Sequence, residues 1–325
     1  MKRYLFFADF LGTRERYKDI QRVKRVRALL ETTVELYFLQ YLEKYDLYVY
    51  IVSDSLFVTC PKVEHLLLPI AKLFRHFFNL EQASPTKPLQ LLMLRGAIGY
   101  GEEATTSVLK NSTRIITIPM LDASLPRVTA LEPIRPGSRV FLDGRLPRAL
   151  TSKHDACLLH WKMITGRGDP IPNVQEFLWP CLAYQHQELL VTTEWIRNQW
   201  LMLLRAKEWN DKEYRQGLMI QLDETLKLFI RSIARSGAKV EASNYLSSIL
   251  PQTSNEVANI EFEWGLWFQV LMALSETSTN IDSHFRDGLV VVKKILLNND
   301  YWNLFTTELE KVDYAVFKEA ITAFL

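Results

Sequence analysis

The sequence has few cysteines, and their number and spacing exclude two kinds of cross-linked fold. Its 325 residues include three cysteines, Cys60, Cys157 and Cys181. An odd number does not fit a disulfide framework, and none of the three has the close pairing of a zinc site. We therefore expect a protein of a reducing cytoplasm.

Long apolar runs and an excess of one charge are also lacking. No window reaches the about 20 uninterrupted apolar residues that a membrane helix needs. The opening MKRYLFFADFLGTRER is interrupted by Asp9 and then becomes charged, unlike a signal peptide. The 39 basic and 37 acidic residues give a net charge of +2, which does not favour a nucleic acid or an anionic membrane as partner. Any phosphate binding has to be local.

Glycine and proline are scarce, with 12 and 13 residues, while 48% of the chain is hydrophobic. That composition is typical of a protein folded throughout. A length of 325 residues exceeds one typical domain. We therefore expect two ordered units.

The first half alternates between strand and helix patterns. An apolar run at 3–10 predicts a buried strand that ends near Asp9, and Ser53-Asp54-Ser55 separates two β-rich segments in 46–60, which predicts a hairpin. Further periodicities predict helices at 13–45, 63–78 and 121–131 and strands at 89–98, 113–118 and 138–142. Gly96, Gly99 and Gly101 in the 89–101 segment would allow close backbone approach.

After Tyr184 strand patterns give way to helical stripes. We therefore predict an α+β domain over 1–184, with a mostly antiparallel sheet covered by helices on one face, and an all-α domain over 185–325. The repeated apolar stripes of the second unit need a surface to pack against. We expect the second unit to pack against other parts of the protein rather than to be a flexible appendage.

Asp9 and Asp54 are the candidate metal ligands. Asp9 ends the first strand and Asp54 lies at the tip of the next hairpin. Short connections favour neighbouring strands, so the two carboxylates would meet. Mg²⁺ prefers hard oxygen ligands and is often held by one or two carboxylates together with substrate phosphates. A lone aspartate after a strand is more often a turn or cap residue, and the pairing is what favours function.

Four segments occur in an order and spacing that resembles a class III adenylate/guanylate cyclase domain: FADFLGT, VSDS, RGAIGYGE and SRVFLD. VQEFLWPCL resembles the closing strand of that family. The similarity covers about residues 3–184 and is closest to the bacterial Pycsar pyrimidine cyclases. It implies a palm or ferredoxin-like sheet, a head-to-tail homodimer, and conversion of a nucleoside triphosphate to a cyclic nucleotide. For a Pycsar-like member the product would be cCMP or cUMP, made on phage infection.

The resemblance also implies site residues. Two Mg²⁺ or Mn²⁺ would be bound by Asp9 and Asp54, with the carbonyl of Phe10 as a further ligand. The amides of Leu11, Gly12 and Thr13 would bind the triphosphate at a helix start. The remaining candidates for nucleotide contact are Tyr50, Ser53 and Arg95.

The alternative for Tyr50 is a purely structural role, in which the ring packs in the sheet. That for Arg95 is an ion pair with Glu102 or Glu103.

One helix departs from the family pattern. Many class III cyclases carry a transition-state asparagine and arginine where this chain has Pro126 and Ala130, and Arg127 is the candidate substitute. Pro126 is expected to disturb the helix after its first turn. Two other functions therefore stay open: a catalytically silent cyclase-fold protein that binds a nucleotide or acts as a scaffold, and a palm-type oligonucleotide synthase.

Overall fold

A computed structural model defines the fold and describes the chain in segments. These are 2–11, 20–82, 93–102, 124–144, 146, 154, 156–166, 168–205, 212–237, 239–249, 269–270 and 272–273. The predicted strand at 113–118 and the tail beyond 273 lie outside the described residues, as do Gly12 and Thr13.

The described strands form one sheet with seven members. In chain order they are β1 (Lys2–Phe10), β2 (Tyr48–Val52), β3 (Ser55–Cys60), β4 (Leu94–Glu102), β5 (Val140–Leu142), β6 (Leu158–Gly166) and β7 (Gly168–Phe177). Their order across the sheet is β2-β3-β1-β4-β5-β7-β6, and the one parallel pair among them is β4 with β5.

The helices are distributed along the whole described chain. They are α1 (Ile20–Phe38), α2 (Glu64–Gln82), α3 (Leu125–Leu131), α4 (Pro180–Ala183), α5 (His186–Arg205), α6 (Lys212–Arg235) and α7 (Lys239–Ser248), with 3-10 turns at Leu39–Tyr41 and Glu132–Ile134. None of the described helices is long and apolar enough to cross a membrane. The mixed α+β class that the sequence predicts is confirmed.

Alternation along β1 gives the sheet two different faces. Phe6 and Phe10 project towards α2, where they contact Phe74 at 6.5 Å and Phe77 at 4.9 Å between ring centroids. Helix α1 packs against α2 on this same side. The two long helices therefore cover one face, as expected.

The short helix α3 lies on the opposite face, which is the face of Asp9. A Cβ added to Gly99 would come within 2.8 Å of Val128 Cγ1 in α3. Gly99 pairs with Leu5, whose side chain shares the face of Asp9. Only a residue without a side chain allows this approach of helix to strand. The two long helices thus cover the predicted face, and α3 in addition covers part of the other face.

The helical segment after Tyr184 packs against helix α2 and against Trp179, which follows β7. Phe229 in α6 contacts Trp179 at 5.4 Å and Phe78 at 5.6 Å between ring centroids. Trp179 is fully buried, and its indole N–H donates to the carbonyl of Ser138 at 2.7 Å. These contacts agree with the expectation of a docked tail. A division of the chain near 184 stays a prediction, because the hydrophobic core continues across that point.

Two elements differ from the predicted ones. The helix predicted over 13–45 is described from Ile20 and ends at Phe38, with a 3-10 turn after it. The hairpin of β6 and β7 was predicted only in its closing strand, since HWKMIT in β6 mixes exposed polar and apolar positions.

Candidate functional site

Asp9 and Asp54 lie at the same end of two neighbouring strands. Strand β1 pairs antiparallel with β3, and Ala8 lies opposite Leu56. Asp9 follows this pair and accepts a hydrogen bond of 3.2 Å from the hydroxyl of Ser55, the first residue of β3. Asp54 directly precedes Ser55 in the turn between β2 and β3. The register of these two strands therefore brings the two predicted carboxylates together.

The carboxylate of Asp9 is poorly neutralised by its surroundings. Burial raises the pKa of Asp9, and the negative charge of Asp54 raises it further. The hydrogen bond from Ser55 and the charge of Arg95 oppose this rise without cancelling it. The two carboxylates repel each other, so a cation placed between them would be stabilising.

Asp54 supplies a second observation in favour of a cation. Its side chain is 9% exposed, and no described residue donates a hydrogen bond to its Oδ2, which is buried. A buried carboxylate oxygen without a donor is costly unless a charge compensates it. The pair therefore fits the oxygen-ligand preference of Mg²⁺ or Mn²⁺.

The described residues contain no cluster of three or more His, Cys, Asp or Glu side chains that could hold a metal. Additional ligands would therefore have to come from backbone, water or substrate. That arrangement is common for Mg²⁺, which usually retains water and shares substrate phosphates.

The end of β1 places the next two predicted residues in the sheet. Phe10 is buried against Phe77, while its backbone pairs with Leu94 of β4. The amide of Leu11 donates to the carbonyl of Met93 at 2.8 Å. This amide proton is already bonded to a backbone carbonyl, which argues against the predicted contact of Leu11 with the triphosphate.

Tyr50 and Arg95 share the face of Asp9. Arg95 lies directly opposite Asp9 in the pairing of β1 with β4. Tyr50 pairs with Phe57, and Phe57 in turn pairs with Phe7, two residues before Asp9. Directly paired residues project to the same side of a sheet. The base-contact candidates therefore lie on the face that carries the acids, with Tyr50 one strand beyond β3 and half-buried.

The partner of Arg95 is Glu132, which the sequence did not identify. The Nε of Arg95 donates to Glu132 Oε1, and the acid is almost fully buried. Burial raises the pKa of Glu132 to about 7. The positive charge of Arg95 opposes this rise, and the negative charge of Asp9 adds to it. The ion-pair partners expected for Arg95, Glu102 and Glu103, are the acids that lie near it along the chain. The available signal was the spacing of four residues between Val128 and Glu132, which places the acid in line with the buried stripe of α3, just beyond the end of the helix.

Helix α3 corrects one expectation about Pro126. The helix begins at Leu125, so Pro126 lies in its first turn, where a missing N–H is tolerated. The expectation that Pro126 disturbs the helix is therefore wrong. Pro126 and Ala130 are both exposed, and Arg127 lies 3.4 Å from Asp143 Oδ2 through its Nη1.

Ser53 completes the hairpin tip. Its φ of 59° is left-handed, a conformation that suits the tight turn before Asp54. The side chain is exposed at the end of the sheet that carries the two carboxylates. Its position allows contact with a ligand bound there.

No protein-family model matches this chain, and no curated protein matches it. Its structure is similar to those of several solved cyclases. One is the adenylyl cyclase CyaB from P. aeruginosa, with 13% identity, a TM-score of 0.41, and coverage of 54% of this chain and 93% of that one. Another is the guanylate cyclase domain of RhGC from Catenaria anguillulae in complex with GTP, with 9% identity, a TM-score of 0.42, and coverage of 54% and 95%.

A third match is to adenylate cyclases from Trypanosoma brucei, with 14% identity, a TM-score of 0.38, and coverage of 54% of this chain and 87% of that one. Identities this low, with TM-scores below 0.5, do not assign a function to this chain. A function has to be argued from the residues of the site.

Proposed function

We propose that this protein is a nucleotidyl cyclase. The 3′-oxygen of a nucleoside triphosphate would form a bond to its own α-phosphorus as the bond to the bridging oxygen breaks. The products are a 3′,5′-cyclic nucleotide, pyrophosphate and the proton of the hydroxyl. The observation that carries the proposal is the placement of Asp9 beside the Asp54 turn, where Asp54 Oδ2 is buried and receives no hydrogen bond from the described part of the chain.

Asp9 and Asp54 would hold the divalent cations, with the carbonyl of Phe10 as a further ligand. When bound, Mg²⁺ or Mn²⁺ neutralises charge on the reacting phosphates and activates the attacking oxygen. The chain contributes two carboxylates whose mutual repulsion favours cation binding. Residues 1–184 would form the catalytic unit and 185–325 the helical unit docked on it.

Arg95 and Tyr50 would face the nucleotide from the same side of the sheet. A guanidinium carries five N–H donors, so the bond from Nε to Glu132 leaves Arg95 further capacity to donate. Its remaining donors suit a base carbonyl or a phosphate oxygen. Ser53 would lie nearer the phosphates, beyond the end of β2, and Gly12 and Thr13 are proposed as further phosphate contacts.

The motif resemblance to pyrimidine cyclases leads us to propose CTP or UTP as substrate. It also supports a homodimer, and a role in phage defence in which the cyclic nucleotide signals to a separate effector. We further propose a cytoplasmic location. The substrate, the homodimer and the defence role depend on the motifs FADFLGT, VSDS, RGAIGYGE and SRVFLD, and the location depends on the three unpaired cysteine positions in the sequence.

The direct test is turnover of each of the four nucleoside triphosphates by the purified full-length chain with Mn²⁺. We expect a cyclic nucleotide and equimolar pyrophosphate, with CTP or UTP preferred. Repeating the assay in phage-infected lysate tests whether a signal is required. Absence of both products with all four substrates in both settings would refute the enzyme.

A catalytically silent nucleotide-binding or scaffold protein is the second candidate. It is favoured by helix α3, where exposed Pro126 and Ala130 occupy the positions of the family's transition-state residues. Arg127 is the nearest cationic substitute, and it lies against Asp143. Saturable binding of Mn²⁺-CTP without turnover would support this candidate. Products longer than one nucleotide would instead indicate an oligonucleotide synthase.

A further inference from the structure

Residues 137–139 lie between helix α6 and the start of β4. On the helix side, the amide of Gly137 donates to Gln221 Oε1 and the amide of Ser138 donates to Thr225 Oγ1 at 2.9 Å. Gly137 has a φ of 91°, and a Cβ there would come within 2.9 Å of the Glu224 side chain. Helix and loop are therefore in close backbone contact.

A buried ion network fixes the third residue of this segment. Arg139 donates to both carboxylate oxygens of Glu176 in β7, each at 2.5 Å, and its Nη1 donates to Glu224 of α6. Trp161 donates to the same Glu176 at 3.0 Å. Removing one partner of such a network leaves a buried charge uncompensated. The turn 221–225 of α6 is therefore firmly joined to 137–139.

On the sheet side, the same segment holds the backbone on both sides of Arg95. The hydroxyl of Ser138 donates to the carbonyl of Leu94 at 2.9 Å. The amide of Gly96 donates to the carbonyl of Arg139 at 2.9 Å. Arg95 lies between these two anchored residues. Any shift of 137–139 would therefore move the peptide units that carry it.

The contact extends to the strand of the acids. Thr225 Oγ1 lies 3.8 Å from the sulfur of Met93, and the carbonyl of Met93 accepts the amide of Leu11. Leu11 is two residues beyond Asp9. A single buried hydroxyl thus contacts both 137–139 and the residue that anchors the end of β1.

We propose that Thr225 and Glu224 are positioning residues, through which helix α6 holds Arg95 in place for the nucleotide. The assignment rests on the proposed function, since it gives Arg95 a ligand to meet. The route runs from Thr225 through Ser138 to Leu94, and from Glu224 through Arg139 to Gly96. Helix α6 thus acts on the substrate site indirectly, through the residues that flank Arg95.

The test compares three variants of the full-length chain. Thr225→Val keeps the shape of the side chain and removes the hydroxyl, whereas Thr225→Ser retains it. Thr193→Val is the matched control, because Thr193 is buried in α5 and its hydroxyl donates to Leu189 within its own helix. All three are measured for kcat/KM with Mn²⁺-CTP and Mn²⁺-UTP and for amide hydrogen exchange in β4.

We expect Thr225→Val to lower kcat/KM by about tenfold and to speed exchange of the Gly96 amide, since one buried hydrogen bond is lost. Thr225→Ser and Thr193→Val should stay close to the wild type in both measurements. If Thr225→Val matches Thr193→Val in exchange, the connection is wrong. Faster exchange with unchanged kcat/KM would also overturn the proposal, because it would reduce Thr225 to a structural residue.

Failure of the proposed function can be distinguished from failure of the positioning role of Thr225. If the wild type yields no cyclic nucleotide, the function is refuted, and the variants are then compared by their affinity for Mn²⁺-CTP in equilibrium dialysis. Weaker binding by Thr225→Val than by Thr193→Val, restored in Thr225→Ser, would still support positioning. Equal affinities would overturn it.

Discussion

Arg95 and Glu132 form an ion pair on the face of the sheet that carries Asp9. The arginine comes from β4 and the acid from the turn that follows α3. The acid is the more buried of the two, with 7% of its side chain exposed against 23% for Arg95. The pair joins the short helix to the strand that carries the candidate base contact, and it gives the site an ionisable group that titrates near neutrality.

Glu132 should make stability fall as the pH rises from about 4.5 to about 7. Its folded pKa, raised to about 7 from an ordinary 4.5, means that the folded state holds this proton longer than the unfolded state. The protonated carboxyl of Glu132 therefore contributes its full stabilisation below about pH 4.5. This contribution to the free energy of unfolding, roughly 3 kcal/mol, is lost as the pH rises to about 7. Urea unfolding of the cation-free protein across this range measures it.

The Glu132→Gln variant should lack this slope. The control is Glu31→Gln, which removes an exposed ion pair with Arg27 and should leave the pH profile unchanged. Parallel profiles for wild type and Glu132→Gln would show that Glu132 ionises normally.

Asp54→Asn should abolish turnover without unfolding the protein. The loss should be at least about 100-fold, because cation-dependent charge stabilisation is worth several kcal/mol. Without cation the melting temperature should rise slightly, since the repulsion of Asp9 is removed, and the pKa of Asp9 should fall. Turnover, thermal melting and a carboxylate NMR titration give the three readouts. Activity near that of the wild type in a folded variant would exclude Asp54 from the site.

Base selectivity should depend on Tyr50 and Arg95. A donor or acceptor of the base left without its partner costs about 1–3 kcal/mol, so selectivity among the four substrates should relax. The variants are Tyr50→Phe and Arg95→Lys, assayed by product ratios in an equimolar mixture of the four triphosphates. Tyr48→Phe is the control for Tyr50, because Tyr48 is an exposed tyrosine of the same strand. Unchanged ratios in both variants would place the base elsewhere.

The buried network at Arg139 should make the fold sensitive to acid. Burial alone would raise the pKa of Glu224, but Lys227, Arg139 and Arg135 outweigh it and lower that pKa to about 2. Its stabilising effect is present above about 4.5 and is lost as the pH falls towards 2, by roughly 3 kcal/mol. Acid unfolding of Glu224→Gln should show a shallower dependence between these values than the wild type, with Glu31→Gln again as control.

Residues 1–186 expressed alone should aggregate or lose activity. Truncation removes Phe229 from Trp179 and removes Glu224 from Arg139, exposing an aromatic surface and leaving a charge with one partner fewer. Solubility, size-exclusion chromatography and turnover test the fragment. A soluble, dimeric, fully active fragment would make the helical segment an independent domain.

Much of the sheet was predictable because its strands are apolar runs ended by turn residues. The strand to Asp9 and the hairpin around Asp54 were predicted close to their observed positions. The strand containing Gly96 was predicted at 89–98 and is described as Leu94–Glu102. Helix α2 was predicted from its apolar stripe. Strand β6 was missed because its exposed positions carry both His160 and Met163, so that neither a strict alternation nor a continuous apolar run appears.

The site was predictable only in part. Acids at strand ends are visible in a sequence, but their partners are set by tertiary packing. Glu132 lies 37 residues from Arg95, and Glu224 lies 85 residues from Arg139. No local pattern encodes such pairs. The start of α3 could not be located by periodicity alone, which is why Pro126 was expected inside the helix rather than in its first turn.

The burial of Trp179 against Phe229 also sets an order for folding on the ribosome. Phe6 and Phe10 of β1 have their aromatic partners in α2, so this part of the core can form as soon as α2 has emerged. The segment around Ser138 cannot complete its hydrogen bonds until Thr225 has been synthesised. Until helix α6 leaves the exit tunnel, the nascent chain therefore exposes Trp179 and leaves the amide of Ser138 without Thr225, and chaperones that shield apolar surface should bind it.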